Sequence, residues 1–198
     1  MDPKKELIKD VLKREFEMFQ DVKSNARAAC QDNFEEFEIM RGSQFESWSI
    51  ETIASYCNDL ENAKINGRNL MTLKYARMDN LVPCLHEIKS VIETIDKIAG
   101  IQLDWQNELK KMYPYFINKG RPITDEEKSS SDTSFLTYLK GELETYSDLT
   151  LANLHQDIKE CLGRGENMTK NVYDGMVKRL GYDSIEDAEE NAKKKAQV

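Results

Sequence analysis

Apolar residues recur along this chain at three- and four-residue spacing and almost nowhere in strict alternation, which predicts helices nearly throughout. Leu7, Ile8, Val11, Leu12, Phe16 and Phe19 keep one face of a first helix, from Pro3 to about Val22. Pro3 suits its opening turn, where the missing N–H has no intrahelical partner to lose. Ser24 to Gln31 reads as a polar loop. Asn33 is a cap for a second helix carrying Phe34, Phe37, Ile39 and Met40, with Gly42 a point at which it kinks or shortens. Ser49 caps a third, from Ile50 to about Ile65, and the turn pair Asn66-Gly67 stops it. A fourth starts near Arg68 and reaches Met78 or Asp79.

Pro83 is expected to open a long helix to Met112, with Leu85, Ile88, Ile92, Ile95, Ile98 and Leu103 on its apolar face and Gly100 a weak point. Tyr113-Pro114 ends it. Residues 118–131, with Gly120, Pro122 and Ser129-Ser130-Ser131, form a long irregular loop of the kind that is either a lid or simply disordered. Ser134 caps a helix through about Asp148. Leu149 to Leu162 continues or re-enters helix, and a further helix covers Asn167 to Leu180 before Gly181. From residue 184 the tail carries Glu186 to Glu190 first and Lys193 to Lys195 last, the order favoured by the helix dipole. The pattern displays no internal repeat and no sustained heptads. The expectation is an all-α protein: one domain over residues 1–198, an irregular helical bundle with a loop at 118–131 and a charged C-terminal helix or tail at 184–198.

Composition sharpens this picture in two places. The chain has 198 residues, 32% of them charged, and a net charge of −8. An acidic surface repels a phosphate backbone, so nucleic acid is not an expected partner. No apolar run approaches the roughly 20 residues that span a bilayer. Met1-Asp2-Pro3-Lys4-Lys5 lacks the apolar core of a signal peptide. A cytoplasmic protein with no membrane partner is expected. Cys30, Cys57, Cys84 and Cys161 form no Cys-x-x-Cys pair and read as reduced thiols.

The candidate chemistry lies where polar residues occupy helical positions that packing would fill with Leu or Ile. Arg41, Gln44 and Trp48 share a helix face, with Glu38 one turn earlier. They read either as an anion pocket with an aromatic wall or as an Arg41–Glu38 surface pair beside a half-buried tryptophan. Tyr56 and Asp59 follow on the next helix. Asp59 is a base if desolvated, or a structural partner for an arginine. Gly67-Arg68-Asn69 stands at a helix start, where free N–H groups favour an anion, and Lys74 and Arg77 add charge one turn apart. Trp105 and Glu108 share a face of the long helix. Tyr138, Glu142 and Tyr146 form a tyrosine–carboxylate–tyrosine stripe: either a buried carboxyl with a raised pKa, a workable general acid or base, or a packing seam in which Glu142 pairs with an arginine. His86 and His155 lack the Glu-x-x-His spacing of bundle metal sites, and a carboxylate-only Mg²⁺ site of Glu108, Glu142 or Glu144 has no diagnostic spacing, so no metal is expected. No cofactor signature is present.

Several stretches together resemble one family. They are Ile39-Met-Arg41-x-x-Gln44-Phe-x-x-Trp48, Ser55-Tyr56-x-x-Asp59-Leu, Gly67-Arg68-Asn69-Leu-x-x-x-Lys74-Tyr75-Ala-Arg77-Met78, Trp105-x-x-Glu108-x-x-x-x-Tyr113-Pro114 and Tyr138-x-x-Gly141-Glu142-Leu-x-Thr145-Tyr146-Ser147. The pattern is similar to a bacterial domain-of-unknown-function family, the one numbered four-one-two-five, over nearly the whole chain. Where that family's pattern has a second Met after Met78, this chain has Asp79. The resemblance implies a single-domain bacterial protein and no particular reaction. Two functional expectations stand. In the first, the chain is an enzyme or binder for a small anionic metabolite. Arg41, Gln44, Arg68, Asn69, Lys74 and Arg77 then hold the anion, Trp48, Tyr56 and Trp105 wall it, and Asp59, Glu108, Glu142 or Tyr146 moves protons. In the second, it is a non-catalytic helical interaction module, and the arginines and carboxylates form a buried structural network.

Overall fold

The computed structural model describes residues 2–23, 29–127 and 133–197, and all its helices but α5 and α6 start where capping residues stand in the sequence. In order they are α1 (Pro3–Gln20), α2 (Phe34–Glu46), α3 (Ile50–Ile65), α4 (Leu70–Met78), α5 (Lys89–Met112), α6 (Pro114–Ile117), α7 (Phe135–Leu143), α8 (Asp148–Gly163), α9 (Met168–Arg179) and α10 (Ile185–Ala196). Two 3-10 turns, Ala29–Asp32 and Asp125–Glu127, complete an all-α bundle with no strand among the described residues. Asp2, Asn33, Ser49, Asn69, Ser134, Ser147, Asn167 and Ser184 each accept a first-turn N–H with the side chain. Such a cap contributes about 1 kcal/mol, and this is why local sequence places the starts after Asn33, Ser49 and Ser134 correctly.

Long-range contacts shift the boundaries that were expected elsewhere. The helix expected from Pro83 begins at Lys89, because the preceding segment is tied down: Leu85 N–H donates to Glu144 Oε2 (3.3 Å) and Arg77 Nη1 to the Val82 carbonyl (2.8 Å). The helix after Ser134 stops at Leu143 rather than near Asp148, and Ser147 caps a new one. The α2 helix runs straight through Gly42, which faces Leu12 and Arg179, and α5 passes through Gly100. The start expected near Arg68 moves to Leu70, since Gly67 takes a left-handed φ of 64° and Asn69 caps. Within 118–127, Ile123 is buried, and the Pro122 and Ile123 carbonyls accept from Phe135 and Leu136 N–H. The rest of the loop expected at 118–131 lies outside the described residues, as does most of that expected at 24–31.

The packing has a simple plan. In the first half α1 lies against α2, α3 and α4, and in the second α5 lies against α7, α8 and α9. The halves meet through α3 on α8, α4 on α7 and α9 on α2. One large apolar cluster runs through both halves. A smaller one, with Leu109, Tyr113, Ile117, Val177 and Ile185, lies under α6 and α10.

Where α4 crosses α7 the backbones approach closely at Gly141. A Cβ there would sit 2.8 Å from Met78 Cγ and 3.2 Å from the Lys74 carbonyl oxygen. Gly141→Ala is therefore expected to destabilise the protein by about 1–3 kcal/mol, an overpacking cost. Gly100, with nothing within 4 Å of its Cβ position, gives the opposite sign. There, Gly→Ala is expected to stabilise α5 by about 0.5–1 kcal/mol. Urea unfolding of the two variants beside the parent measures both.

Candidate functional site

Glu15 sits in the middle of the apolar face of α1, between Leu12 and Phe19, and is 0% exposed. A carboxylate so placed must be paired or pay heavily in lost hydration. Its partner is Arg41 of α2, whose Nε and Nη2 fork the two Glu15 oxygens at 2.9 and 2.6 Å. The third guanidinium nitrogen, Nη1, donates to Glu142 of α7 at 2.9 and 3.1 Å and to Gln44 Oε1 at 2.6 Å. Gln44 Nε2 closes this ring onto Glu142 Oε1 at 3.0 Å. Lys74 of α4 reaches Glu142 Oε2 at 2.6 Å, and its ammonium lies 3.7 Å from the centre of the Tyr138 ring. Two phenols complete the set: Tyr56 of α3 donates to Glu15 and Tyr146, just beyond α7, donates to Glu142. Trp48 stands edge-on to both rings, 6.0 Å from Tyr56 and 5.9 Å from Tyr146.

The network therefore joins α1, α2, α3, α4, α7 and the turn into α8, and its formal charges cancel: two carboxylates, one guanidinium, one ammonium. Burial works against the Glu142 carboxylate. The Arg41 and Lys74 charges, with hydrogen bonds from Lys74 and Tyr146, outweigh it and hold the carboxyl well below the usual carboxylate range, the reverse of the raised pKa expected of a carboxyl between two phenols. Burial likewise opposes the charge on Arg41 and Lys74, but Glu142 raises both above their ordinary values. Burial and the adjacent carboxylates push the Tyr56 and Tyr146 phenols up, so they remain hydrogen-bond donors. None of these side chains leaves a buried polar atom without a partner.

The other candidates have separate attachments. Asp59 accepts from Ser147 N–H (3.0 Å) and Thr150 Oγ1 (2.7 Å), capping α8. Asn69 caps α4 and donates to the Met18 carbonyl. Arg77 forks Glu144, and Arg68 is exposed on the turn before α4. Glu108 accepts from Asn167, which also reaches the carbonyl of buried Trp105. Arg41 does not turn to Glu38, which is exposed. Sequence reasoning missed Glu15, whose signal was a charge on the apolar stripe of α1. It also missed Asp157, which caps α3 by accepting from Ser49 N–H and Thr52 Oγ1.

A cavity of about 190 Å³ lies beside this region, lined by Trp48, Ser49, Asp157, Cys161, Arg164 and Asn171 among others, and touches none of the network's charged residues. A second, of about 530 Å³, lies between α6 and α10. Among the described residues, no group of three or more His, Cys, Asp and Glu is placed to hold a metal ion. No helix among them is long and apolar enough to cross a membrane. Burial and the Asp10 carboxylate push the Cys57 thiol up to about 11, away from the thiolate form that a nucleophile uses.

This chain belongs to the family described as protein of unknown function, DUF4125. The family match covers residues 5–190 and so takes in every member of the network. Comparison with curated proteins and with solved structures finds no match. Membership carries the family's description and no activity.

Two outcomes test the network. Arg41→Ala leaves two buried carboxylates without their shared cation and is expected to destabilise the fold by about 3–5 kcal/mol in urea unfolding. The Glu142 carboxyl is depressed in the folded state, so its contribution is fully present above the unfolded value of about 4.3 and is lost as pH falls toward the folded value. Below about pH 4 this group alone should remove about 1.4 kcal/mol of stability per pH unit. Glu142→Gln should lack that share of the acid slope. Lys74, raised above 10.5, contributes fully below that value and loses its contribution as pH rises beyond it.

Proposed function

We propose that this chain is a non-catalytic helical module, and that its arginine–carboxylate set is a structural network. One observation carries the reading: the buried charges are satisfied within the chain, with every nitrogen of Arg41 and the ammonium of Lys74 already facing a carboxylate. A site for a small anion needs a cation whose partner is the ligand. Arg41, Arg68 and Arg77, the three arginines that such a site would draw on, have different surroundings: a core network, an exposed turn and a fork to Glu144. Catalysis by Glu142 or Tyr146 is disfavoured for the same reason. A carboxylate held deeply ionised between two cations is a poor base near neutrality, and a phenol held protonated is a poor nucleophile. The acidic balance of the chain further disfavours a polyanionic partner.

The test is a thermal-shift screen of the intact protein against small carboxylates and phosphates, with Arg68→Ala and Arg77→Ala alongside. No compound is expected to raise the melting temperature by an amount that either variant abolishes. A ligand held at 100 times its dissociation constant would add about 2.7 kcal/mol. Such a shift, present in the parent and lost in Arg68→Ala, would overturn the reading in favour of an anion-binding site.

A further inference from the structure

The two halves of the chain repeat each other in a way the hydropathy pattern conceals. Gln44 and Glu142 lie 98 residues apart and hydrogen-bond to each other. The same offset carries the cap of α3, Ser49, onto the cap of α8, Ser147, and Thr52 onto Thr150. It carries Asp59 onto Asp157, and these two aspartates make reciprocal bonds: Asp59 caps α8 and Asp157 caps α3. Gly67 and Gly165, with φ of 64° and 68°, end the two helices in the same turn, and Asn69 and Asn167 cap α4 and α9. From 47 to 78, eight of the 32 positions are identical to those 98 residues on, and they include these caps and turns.

The correspondence extends to α1 and α5 at an offset of 87 (Met18 to Trp105). Ile8, Val11 and Leu12 match Ile95, Ile98 and Ala99, all buried. Asn69 donates to the Met18 carbonyl and Asn167 to that of Trp105. Phe19 stacks on Tyr75, and the corresponding Gln106 bonds to the hydroxyl of Tyr173, 98 residues beyond Tyr75. Packing obeys the same rule: α4 crosses to α7 of the other half, and α9 crosses to α2. Small residues stand at both crossings, Gly141 against Met78 and Ser43 against Gly175.

We infer that the chain is an internal duplication, in which α1–α4 and α5 with α7–α9 are two copies of one four-helix unit related by an approximate two-fold axis, each unit being the other's binding partner. The α6 and α10 helices are additions to the second copy. Neither unit closes its own core, because the fourth helix of each, besides lying on the first helix of its own unit, packs on the second helix of the other. The charges have diverged so that recognition is directional. The first unit contributes Glu15, Arg41 and Lys74, a buried charge of +1, and the second contributes Glu142. At the positions matching Arg41 and Lys74 the second unit has Leu139 and Val172.

The test uses the full chain with a protease recognition sequence inserted between Glu87 and Ile88, in the connection between the units. After cutting, the two pieces are expected to elute as one 1:1 complex with the parent's far-UV spectrum, and Glu142→Gln is expected to weaken that complex at least tenfold. Pieces that separate and each keep a cooperative melt of their own would overturn the mutual closure of the cores. The symmetry has its own readout in spin-label distances, with Cys30 and Cys84 replaced by serine. The pair Glu17→Cys with Lys159→Cys maps onto Asp104→Cys with Glu61→Cys, all four positions being exposed. Overlapping distance distributions support the two-fold, and distributions that do not overlap overturn it.

Discussion

A carboxylate at the centre of a bundle is tolerable only where cations meet it, and the position of Glu142 makes the rest of this structure necessary. Arg41 and Lys74 must come from two other helices, and Tyr146 must fold back from the end of α7. Arg41 then brings Glu15, and Glu15 brings Tyr56. Replacement of such a set by well-packed apolar side chains is often neutral or stabilising, so the gain is not stability as such. A network that is satisfied in one arrangement of six chain segments, and badly unsatisfied in any other, penalises misregistered packings of helices whose apolar faces are otherwise interchangeable. Repeated helices with similar faces have particular need of that penalty.

The reciprocal caps of α3 and α8 make the same point at lower energy. Each helix presents an aspartate to the positive N-terminal end of the other, where a carboxylate satisfies free N–H groups and meets a favourable dipole. Asp59 and Asp157 thus set both the antiparallel sense and the relative shift of the pair. The network and the caps act across the same interface, one through buried charge and the other through helix ends.

Several helix starts were legible because a cap is local: Asn33, Ser49 and Ser134 bond within three residues of themselves. The start of α5 was not, since it depends on bonds from residues 82 and 85 to α4 and to Glu144. Arg41, Gln44, Lys74, Glu142 and Tyr146 stood out as polar groups at apolar positions, but the bonds from Arg41, Gln44 and Lys74 to Glu142 span 68 to 101 residues, and periodicity carries no such information. Glu15 was hidden by its flanking apolar residues, which made α1 look like an ordinary amphipathic helix. The duplication escaped hydropathy because identity survives mainly where geometry demands a residue type, at caps and left-handed turns, while core positions drifted among apolar types.

The buried charges hold the fold together as a coupled unit. A double-mutant cycle in urea on Lys74→Met and Glu142→Gln measures that coupling. A coupling free energy of about 0.5–3 kcal/mol is expected, with the double variant more stable than the sum of the single losses allows. Two singles that are each near the parent in stability, with coupling indistinguishable from zero, would contradict it.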